Sequence, residues 1–287
     1  MTNSAVGQNF RVRQVAVTAA ALFCAFGTLV GTGVLGERVA ETSGGDLAAD
    51  ATLIAPAGPA FAIWSVIYLG LAAYTIWQWR TAHADTTRHR RTAWLAALSM
   101  VLNALWLLVT QAGWLWLSVV VIVVLLWACA TLVTRLTEEP SRSGVETVVV
   151  DGTFGLYLGW VCVAVCANVA ATLVAAGVPA TGTVPTLVTV VVLLVVIAVA
   201  AHLARVLRGN WLVAAGIAWG LAWVAVARLT DRPESVPIGV VAAVAALAVL
   251  LVTGLTGGRG ARPGRRSDAV RRPSRPNSAP TGRGVPG

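Results

Sequence analysis

The chain has 287 residues, of which 57% are hydrophobic and 11% are charged, and its net charge is +9. Soluble domains carry about 25% charged residues, so this composition excludes an ordinary soluble globular protein. All 21 basic residues are arginines, and eight of them lie in the last 32 residues. Most of the others lie in short segments between apolar runs, a distribution that does not indicate nucleic-acid binding.

Eight apolar runs have about the length, roughly 20 residues, that an α-helix needs to cross the hydrocarbon core of a bilayer. The sequence therefore predicts an all-α membrane protein with eight transmembrane helices. Two connections, Ala112-Gly113 and Arg208-Gly209-Asn210, could each be a turn or a kink in a longer hairpin; the tryptophan after each favours a turn. The predicted spans are 15–36, 59–79, 93–111, 114–135, 148–176, 186–207, 211–229 and 237–255.

The distribution of arginine predicts the orientation of these helices. With a cytoplasmic N-terminus, the cytoplasmic segments hold 18 arginines, and the opposite side holds three, Arg38, Arg228 and Arg232. Cytoplasmic loops of membrane proteins carry the excess of basic residues. We therefore expect both termini in the cytoplasm, and an odd number of spans would put the basic tail on the wrong side.

The segments outside the spans differ in composition. Residues 1–14 are expected to form a cytoplasmic N-terminus. The acidic segment 37–58 is expected to be an external loop, and Pro59 after it is typical of the start of a helix. Residues 256–287 are rich in Arg, Pro and Gly and poor in hydrophobic residues, which predicts a disordered tail.

Few residues could support catalysis or metal binding. Asp151 is the one acidic residue near the interior of a predicted span, and intramembrane carboxylate chemistry needs two carboxylates that share a site. The cysteines lie in apolar runs without a metal-type pairing with histidine, which favours buried hydrophobic positions. We therefore expect no enzyme activity, no metal and no required cofactor.

Tryptophan is abundant, with 12 residues in the chain. Some lie at span ends, where an interfacial aromatic belt explains them. Others lie deeper, where an indole N–H finds no partner in lipid, so their rings should face other helices or a cavity. The deeper residues are Trp64, Trp106, Trp127, Trp160, Trp219 and Trp223.

Aromatic and amide side chains share helix faces in three of the predicted spans. Residues three or four positions apart lie on one face of a helix. Spacing alone leaves two interpretations open: a binding pocket between the helices, or contacts that only hold the bundle together. The groups are Trp64 with Tyr68, Asn103 with Trp106, and Tyr157 with Trp160, Ala164 and Asn168.

Pairs of glycines four residues apart predict close packing of helix backbones. The three steps of this kind are Gly27 with Gly31, Gly155 with Gly159, and Gly216 with Gly220.

Three segments resemble the tryptophan-rich sensory protein family (TspO/MBR, the translocator protein or peripheral benzodiazepine receptor family). In Pro56–Tyr68, a proline-containing loop leads into a helix with Phe61, Trp64 and Tyr68. This segment resembles the family's second helix and the proline-containing loop that precedes it. Asn103-Ala-Leu-Trp106 is similar to the N-x-x-W of its third helix, and 157–168 to the Y-x-x-W-x-x-x-A-x-x-x-N of its fifth. The segments follow the family's order, and the resemblance covers roughly residues 15–176.

The resemblance implies a five-helix bundle over 15–176 with a ligand pocket under the first loop. The sequence departs from the family's five helices, because three further spans follow at 186–255. Family members bind tetrapyrroles such as protoporphyrin and haem, and some bind sterols or drug-like aromatic compounds. Val169-Ala-Ala-Thr172 replaces the aromatic and arginine ending proposed for sterol contact, so we expect no sterol specificity. The residues implied to bind the ligand are Trp64, Tyr68, Asn103, Trp106, Tyr157, Trp160, Ala164 and Asn168.

The sequence therefore predicts a membrane receptor or sensor, not an enzyme, that binds a planar aromatic ligand such as a porphyrin or haem. The alternatives are a small secondary transporter of amphipathic or tetrapyrrole substrates and a structural partner of another membrane protein. Expected partners are membrane lipid and the planar ligand; a homodimer is compatible with these features, and nucleic acid is not expected. The Ala/Val-rich composition and the use of arginine without lysine indicate a multi-pass protein of a bacterial cytoplasmic membrane.

Overall fold

Long helices make up most of the protein in a computed structural model, which describes residues 2–37, 39, 41–80 and 86–260. Eight helices in this part of the chain are long and apolar enough to cross a membrane, which confirms the predicted all-α architecture. Residues 261–287, most of the predicted tail, lie outside the described residues. The helices are α1 Thr2–Gly31, α2 Ile63–Trp77, α3 Thr87–Gln111, α4 Leu115–Glu138, α5 Gly144–Ala175, α6 Thr183–Val206, α7 Trp211–Thr230 and α8 Val236–Gly260.

The first and third helices differ most from the predicted spans. α1 runs from Thr2 to Gly31, whereas the sequence predicted 15–36, and Gly33 just beyond its end has a positive φ of 83°. α3 begins six residues before its predicted start, at Thr87. The hydroxyl of Thr86 accepts a hydrogen bond from the backbone N–H of His89 at 3.2 Å and so caps the helix.

The two short connections are turns, as predicted. Gly113 between α3 and α4 has a φ of 73°, and Arg208 and Gly209 between α6 and α7 have φ values of 55° and 74°. The side chain of Asn210 then caps α7, because its Oδ1 accepts hydrogen bonds from the backbone N–H groups of Leu212 and Val213 at 3.0 and 3.2 Å.

Helix packing divides the protein into a bundle and an attached group. α1 packs against α3, α3 against α4, and α4 against α5, while α2 packs against α1 and α5. α7 packs against α5, α8 packs against α7, and α6 packs mainly against α8. The last three helices are therefore joined to the first five chiefly through the contact of α5 with α7.

Glycines allow the closest helix approaches, as the sequence predicted. A Cβ atom on Gly216 of α7 would lie 2.6 Å from the carbonyl oxygen of Leu156 and 2.9 Å from the Cα of Gly159 on α5. A Cβ atom on Gly27 of α1 would lie 2.9 Å from the Cα of Ala104 on α3. Any larger residue at these positions would push the helices apart.

A buried ion cluster closes one end of the bundle. Arg88, only 4% exposed at the start of α3, donates hydrogen bonds to Glu146 at 2.8 Å and to Asp151. It also donates to the backbone carbonyls of Leu136 and Glu139, at 3.3 and 2.8 Å. The cluster pairs Asp151, the acidic residue that the sequence placed in a span, with a cation and links α3, α4 and α5.

Candidate functional site

The connection between α1 and α2 lies over a space at the other end of the bundle. We name residues 41–57 of this connection the cover loop. Beneath it, a deep cavity of about 60 Å³ lies between α2, α3, α4 and α5. Its walls include Ala48, Thr52 and Pro56 of the cover loop, and Phe61, Trp64, Asn103, Trp106, Ile122, Leu125, Trp160, Ala164 and Asn168.

A larger outer cavity of about 410 Å³ adjoins the deep cavity. The two share wall residues, among them Phe61, Trp64 and Trp106. The outer cavity also includes Thr32 after α1 and Ser65 on α2, both of which are exposed. It therefore reaches the exterior of the protein between these two helices.

Trp64 is the centre of an aromatic cluster. Its ring stacks on Tyr68 with a centroid distance of 5.3 Å and an interplanar angle of 17°. The edge-to-face neighbours of Trp64 are Tyr157 and Trp160, at centroid distances of 5.8 and 6.2 Å. Phe61, one helical turn before Trp64, meets Trp160 edge to face at 5.7 Å. The helix faces that the sequence predicted for α2 and α5 therefore meet.

Asn168 joins three helices by hydrogen bonds. Its Oδ1 accepts from the indole N–H of Trp106 at 2.7 Å, and its Nδ2 donates to the hydroxyl of Ser118 at 3.0 Å. All three side chains are buried. Both polar atoms of the Asn168 amide thus have partners, which corresponds to the bundle-contact interpretation that the sequence left open.

Asn103 and Trp160 each have a polar side-chain atom that forms no hydrogen bond in the described chain. The Oδ1 of Asn103 accepts from the hydroxyl of Tyr68 at 3.1 Å and from the thiol of Cys24 at 3.5 Å. The Nδ2 of Asn103 and the Nε1 of Trp160 are buried, and neither finds a hydrogen-bond acceptor among the described residues. Both residues line the deep cavity, Asn103 from α3 and Trp160 from α5, so two residues with an unpaired donor border the same space.

The eight residues that the resemblance implied take three kinds of position. Tyr68 lines the outer cavity, and Tyr157 lies behind Trp64 and donates its hydroxyl to the carbonyl oxygen of Ser99 at 3.2 Å. Tyr157 lines neither cavity. The six that line the deep cavity are Trp64, Asn103, Trp106, Trp160, Ala164 and Asn168.

One deep tryptophan does not behave as predicted. Trp127 was expected to face other helices or a cavity, but 58% of its side chain is exposed on the outer face of α4. The prediction was wrong because depth within a span does not determine which face a residue occupies. Trp219 is 39% exposed, but its indole N–H does find a partner in the protein, the carbonyl oxygen of Ala60 at 2.8 Å.

Sequence reasoning missed the contribution of α7 to the site. Arg228 is fully buried, and its guanidinium donates to the carbonyl oxygens of Thr52 and Ala49 in the cover loop at 2.9 and 3.2 Å. The available signal was an arginine inside the predicted span 211–229, on the side of the membrane predicted for the loop.

Comparison with known proteins supports the resemblance over a longer stretch than the three motifs. The family model described as TSPO-like protein matches residues 14–255, from α1 into α8, and so includes the last three helices. Comparisons with curated proteins and with solved structures find no match. With most of the sequence matched and eight helices able to span a membrane, the chain belongs to the TSPO-like protein family and is a multi-pass membrane protein.

Proposed function

We propose that the protein is a membrane receptor or sensor that binds a planar aromatic ligand, such as a tetrapyrrole, under the cover loop. The observation that carries the proposal is the pair of unsatisfied donors, Asn103 Nδ2 and Trp160 Nε1, on two residues that line a cavity bordered by aromatic rings. Buried donors without acceptors cost about 1–3 kcal/mol each. A ligand that supplies an acceptor would remove that cost.

The outer cavity suits the ring system of such a ligand. Its volume of about 410 Å³ lies within the usual range for small-molecule sites, about 300–1,000 Å³. Trp64, Tyr68 and Trp106 present aromatic surface on its walls, against which a flat macrocycle can pack. Access between α1 and α2 is suited to a hydrophobic compound that arrives from the bilayer.

The polar edge of the ligand would then point toward the deep cavity. A carbonyl or carboxylate oxygen there could accept hydrogen bonds from Asn103 and Trp160, which line it. At about 60 Å³ the deep cavity has room for such a group but not for a macrocycle. The ligand class is therefore a planar aromatic body with an acceptor at one edge.

We propose a binding role and not a catalytic one. Asp46 is the one carboxylate among the described residues that line the two cavities. Acid–base chemistry between paired carboxylates needs a second one with a different pKa. The site is better suited to holding a ligand than to transforming it.

The receptor proposal needs access from one side only, and the far end of the bundle is closed. There the Arg88 ion cluster links three helices, and Gln14 on α1 donates to the carbonyl oxygen of Gln78 beyond α2 at 2.9 Å. A carrier exposes its site alternately to both sides of the membrane. Uptake of protoporphyrin into proteoliposomes along a gradient would instead establish the carrier.

The proposal is tested by titrating purified protein with protoporphyrin while following tryptophan fluorescence. Loss of an aromatic contact is expected to weaken binding about tenfold in Trp64→Ala and in Trp160→Ala. Trp127→Ala is the matched control, because Trp127 is exposed on α4 and lines neither cavity. Equal affinity in all three variants and the parent protein would refute the proposed site.

A further inference from the structure

We propose that α7 is a clamp for the cover loop and that Arg228 is its main positioning residue. The clamp would hold the loop closed over the site and so control the rate at which ligand enters and leaves. The part that concerns ligand exchange rests on the proposed function. The part that concerns the loop itself does not.

The first evidence is the position of Arg228. It lies two residues before the end of α7 with 0% of its surface exposed. Its Nη1 donates to the carbonyl oxygen of Thr52 at 2.9 Å, and its Nη2 donates to that of Ala49 at 3.2 Å. Thr52 and Ala49 both line the deep cavity, so Arg228 holds the loop where the loop forms the cavity wall.

Two further hydrogen bonds connect α7 to the same connection. The backbone N–H of Ala57 donates to the carbonyl oxygen of Trp223 at 3.1 Å. The indole N–H of Trp219 donates to the carbonyl oxygen of Ala60 at 2.8 Å. Together with the bonds of Arg228, the contacts extend from the middle of the cover loop to the turn that begins α2.

The hydrogen bonds of the buried Arg228 guanidinium depend on the position of the cover loop. Asp50 and Asp231 stabilise its charge at longer range, but the hydrogen bonds of Arg228 within the described chain go to loop carbonyls. If the loop lifted away, the cation would lose both acceptors, and breaking the contacts of a buried charge is costly. Closure of the loop therefore supplies the acceptors for Nη1 and Nη2 of Arg228, whereas its buried Nε has no partner among the described residues.

The position of α7 is itself set firmly. Gly216 lies in backbone contact with α5, where an added Cβ would come within 2.9 Å of the Cα of Gly159. A helix packed this closely has little freedom to follow a moving loop. The last three helices thus provide a fixed support on which the loop is fastened.

Hydrogen exchange of the cover loop tests the clamp without any ligand. In Arg228→Gln the backbone amides of Ala48, Ala51, Ala55 and Ala57 should exchange at least about tenfold faster, because the loop loses its hydrogen bonds to a charged group. Arg228→Lys should give an intermediate rate, since an ammonium group lacks the planar fork. Arg205→Gln is the matched control: Arg205 is exposed on α6 and donates to Ala201 of its own helix.

A milder pair of variants covers the case in which Arg228→Gln does not fold. Trp219→Phe keeps an aromatic ring and removes the bond to Ala60, so exchange near Ala57 should rise. Trp223→Phe changes the neighbouring ring but keeps the backbone carbonyl that Ala57 uses, so exchange there should stay close to the parent rate. Unchanged exchange in both Arg228→Lys and Trp219→Phe would overturn the clamp.

Ligand kinetics then test the second part. Protoporphyrin should dissociate at least about tenfold faster from Arg228→Gln than from the parent, with little change in Arg205→Gln. Faster loop exchange with unchanged dissociation would overturn the role in ligand exchange. Faster loop exchange in a protein that binds no protoporphyrin in any form would support the clamp and refute the proposed function instead.

Discussion

Among single residues, the two asparagines that share faces with tryptophan have different surroundings. Asn168 uses both ends of its amide, with Trp106 and Ser118 as partners. Asn103 uses its oxygen with Tyr68, while its Nδ2 lacks an acceptor within the described chain. Both amides therefore join helices, but only Asn103 keeps a donor without a partner in the described chain, and we propose that a ligand supplies the acceptor.

This contrast predicts opposite effects of one substitution. Asn168→Leu should lower the free energy of unfolding by about 1 kcal/mol, the magnitude usual for hydrogen bonds between membrane helices, with little effect on protoporphyrin affinity. Asn103→Leu should weaken protoporphyrin binding about tenfold and cost less stability. Thermal unfolding and fluorescence titration on the same preparations measure both quantities. Equal losses of stability and affinity in the two variants would contradict the distinction.

The sequence located these residues but did not separate their roles. Periodicity on each helix predicted the shared faces of Trp64 with Tyr68 and of Tyr157 with Trp160, because it depends only on local geometry. It could not show that Trp127 faces outward, since a single helix carries no information on where its neighbours lie. Unsatisfied donors such as Asn103 Nδ2 become visible only when every surrounding helix is in place.

Among the helices, the contact between α5 and α7 determines how the two parts of the protein fit together. Gly159 and Gly216 face each other, and neither leaves room for a side chain. Motif spacing predicted close packing at both glycines but not that they meet. Pairing two such motifs requires knowledge of helix order, which hydropathy does not provide.

Substitution of one of these glycines tests the importance of the contact. A Cβ in Gly216→Ala would lie 2.6 Å from the Leu156 carbonyl oxygen, so α7 must shift, and overpacking of this kind costs about 1–3 kcal/mol. Gly254→Ala on α8 is the control, because its Cβ would meet the ring of Trp211 at an ordinary 3.5 Å. Thermal unfolding should therefore separate the two variants, and equal melting temperatures would show that α5 and α7 adjust without cost.

At the scale of the whole molecule, long-range contacts hold each end of the helix bundle, and the sequence predicted the helices there but not these contacts. Hydropathy predicted all eight spans, yet it placed the start of α3 after Arg88 and His89, because polar residues near a span end look like a loop. The burial of Arg88 depends on Glu146 and Asp151, about 60 positions away in sequence. The fastening of the cover loop by Arg228 likewise joins residues 176 and 179 positions apart, and no local pattern predicts it.

These ends should face opposite sides of the membrane, with the cover loop outside and the Arg88 cluster at the cytoplasmic face. Asp50 in the cover loop and Pro140 between α4 and α5 are both exposed, whereas the four native cysteines are buried or half-buried and should react slowly. In intact cells a membrane-impermeant maleimide should label Asp50→Cys, while Pro140→Cys should react only after permeabilisation. The positive-inside rule requires this pattern, because the side of the membrane that holds Pro140 carries more arginines than the opposite side. The reverse pattern would invert the orientation, and a ligand from the bilayer would then meet the cover loop at the cytoplasmic surface.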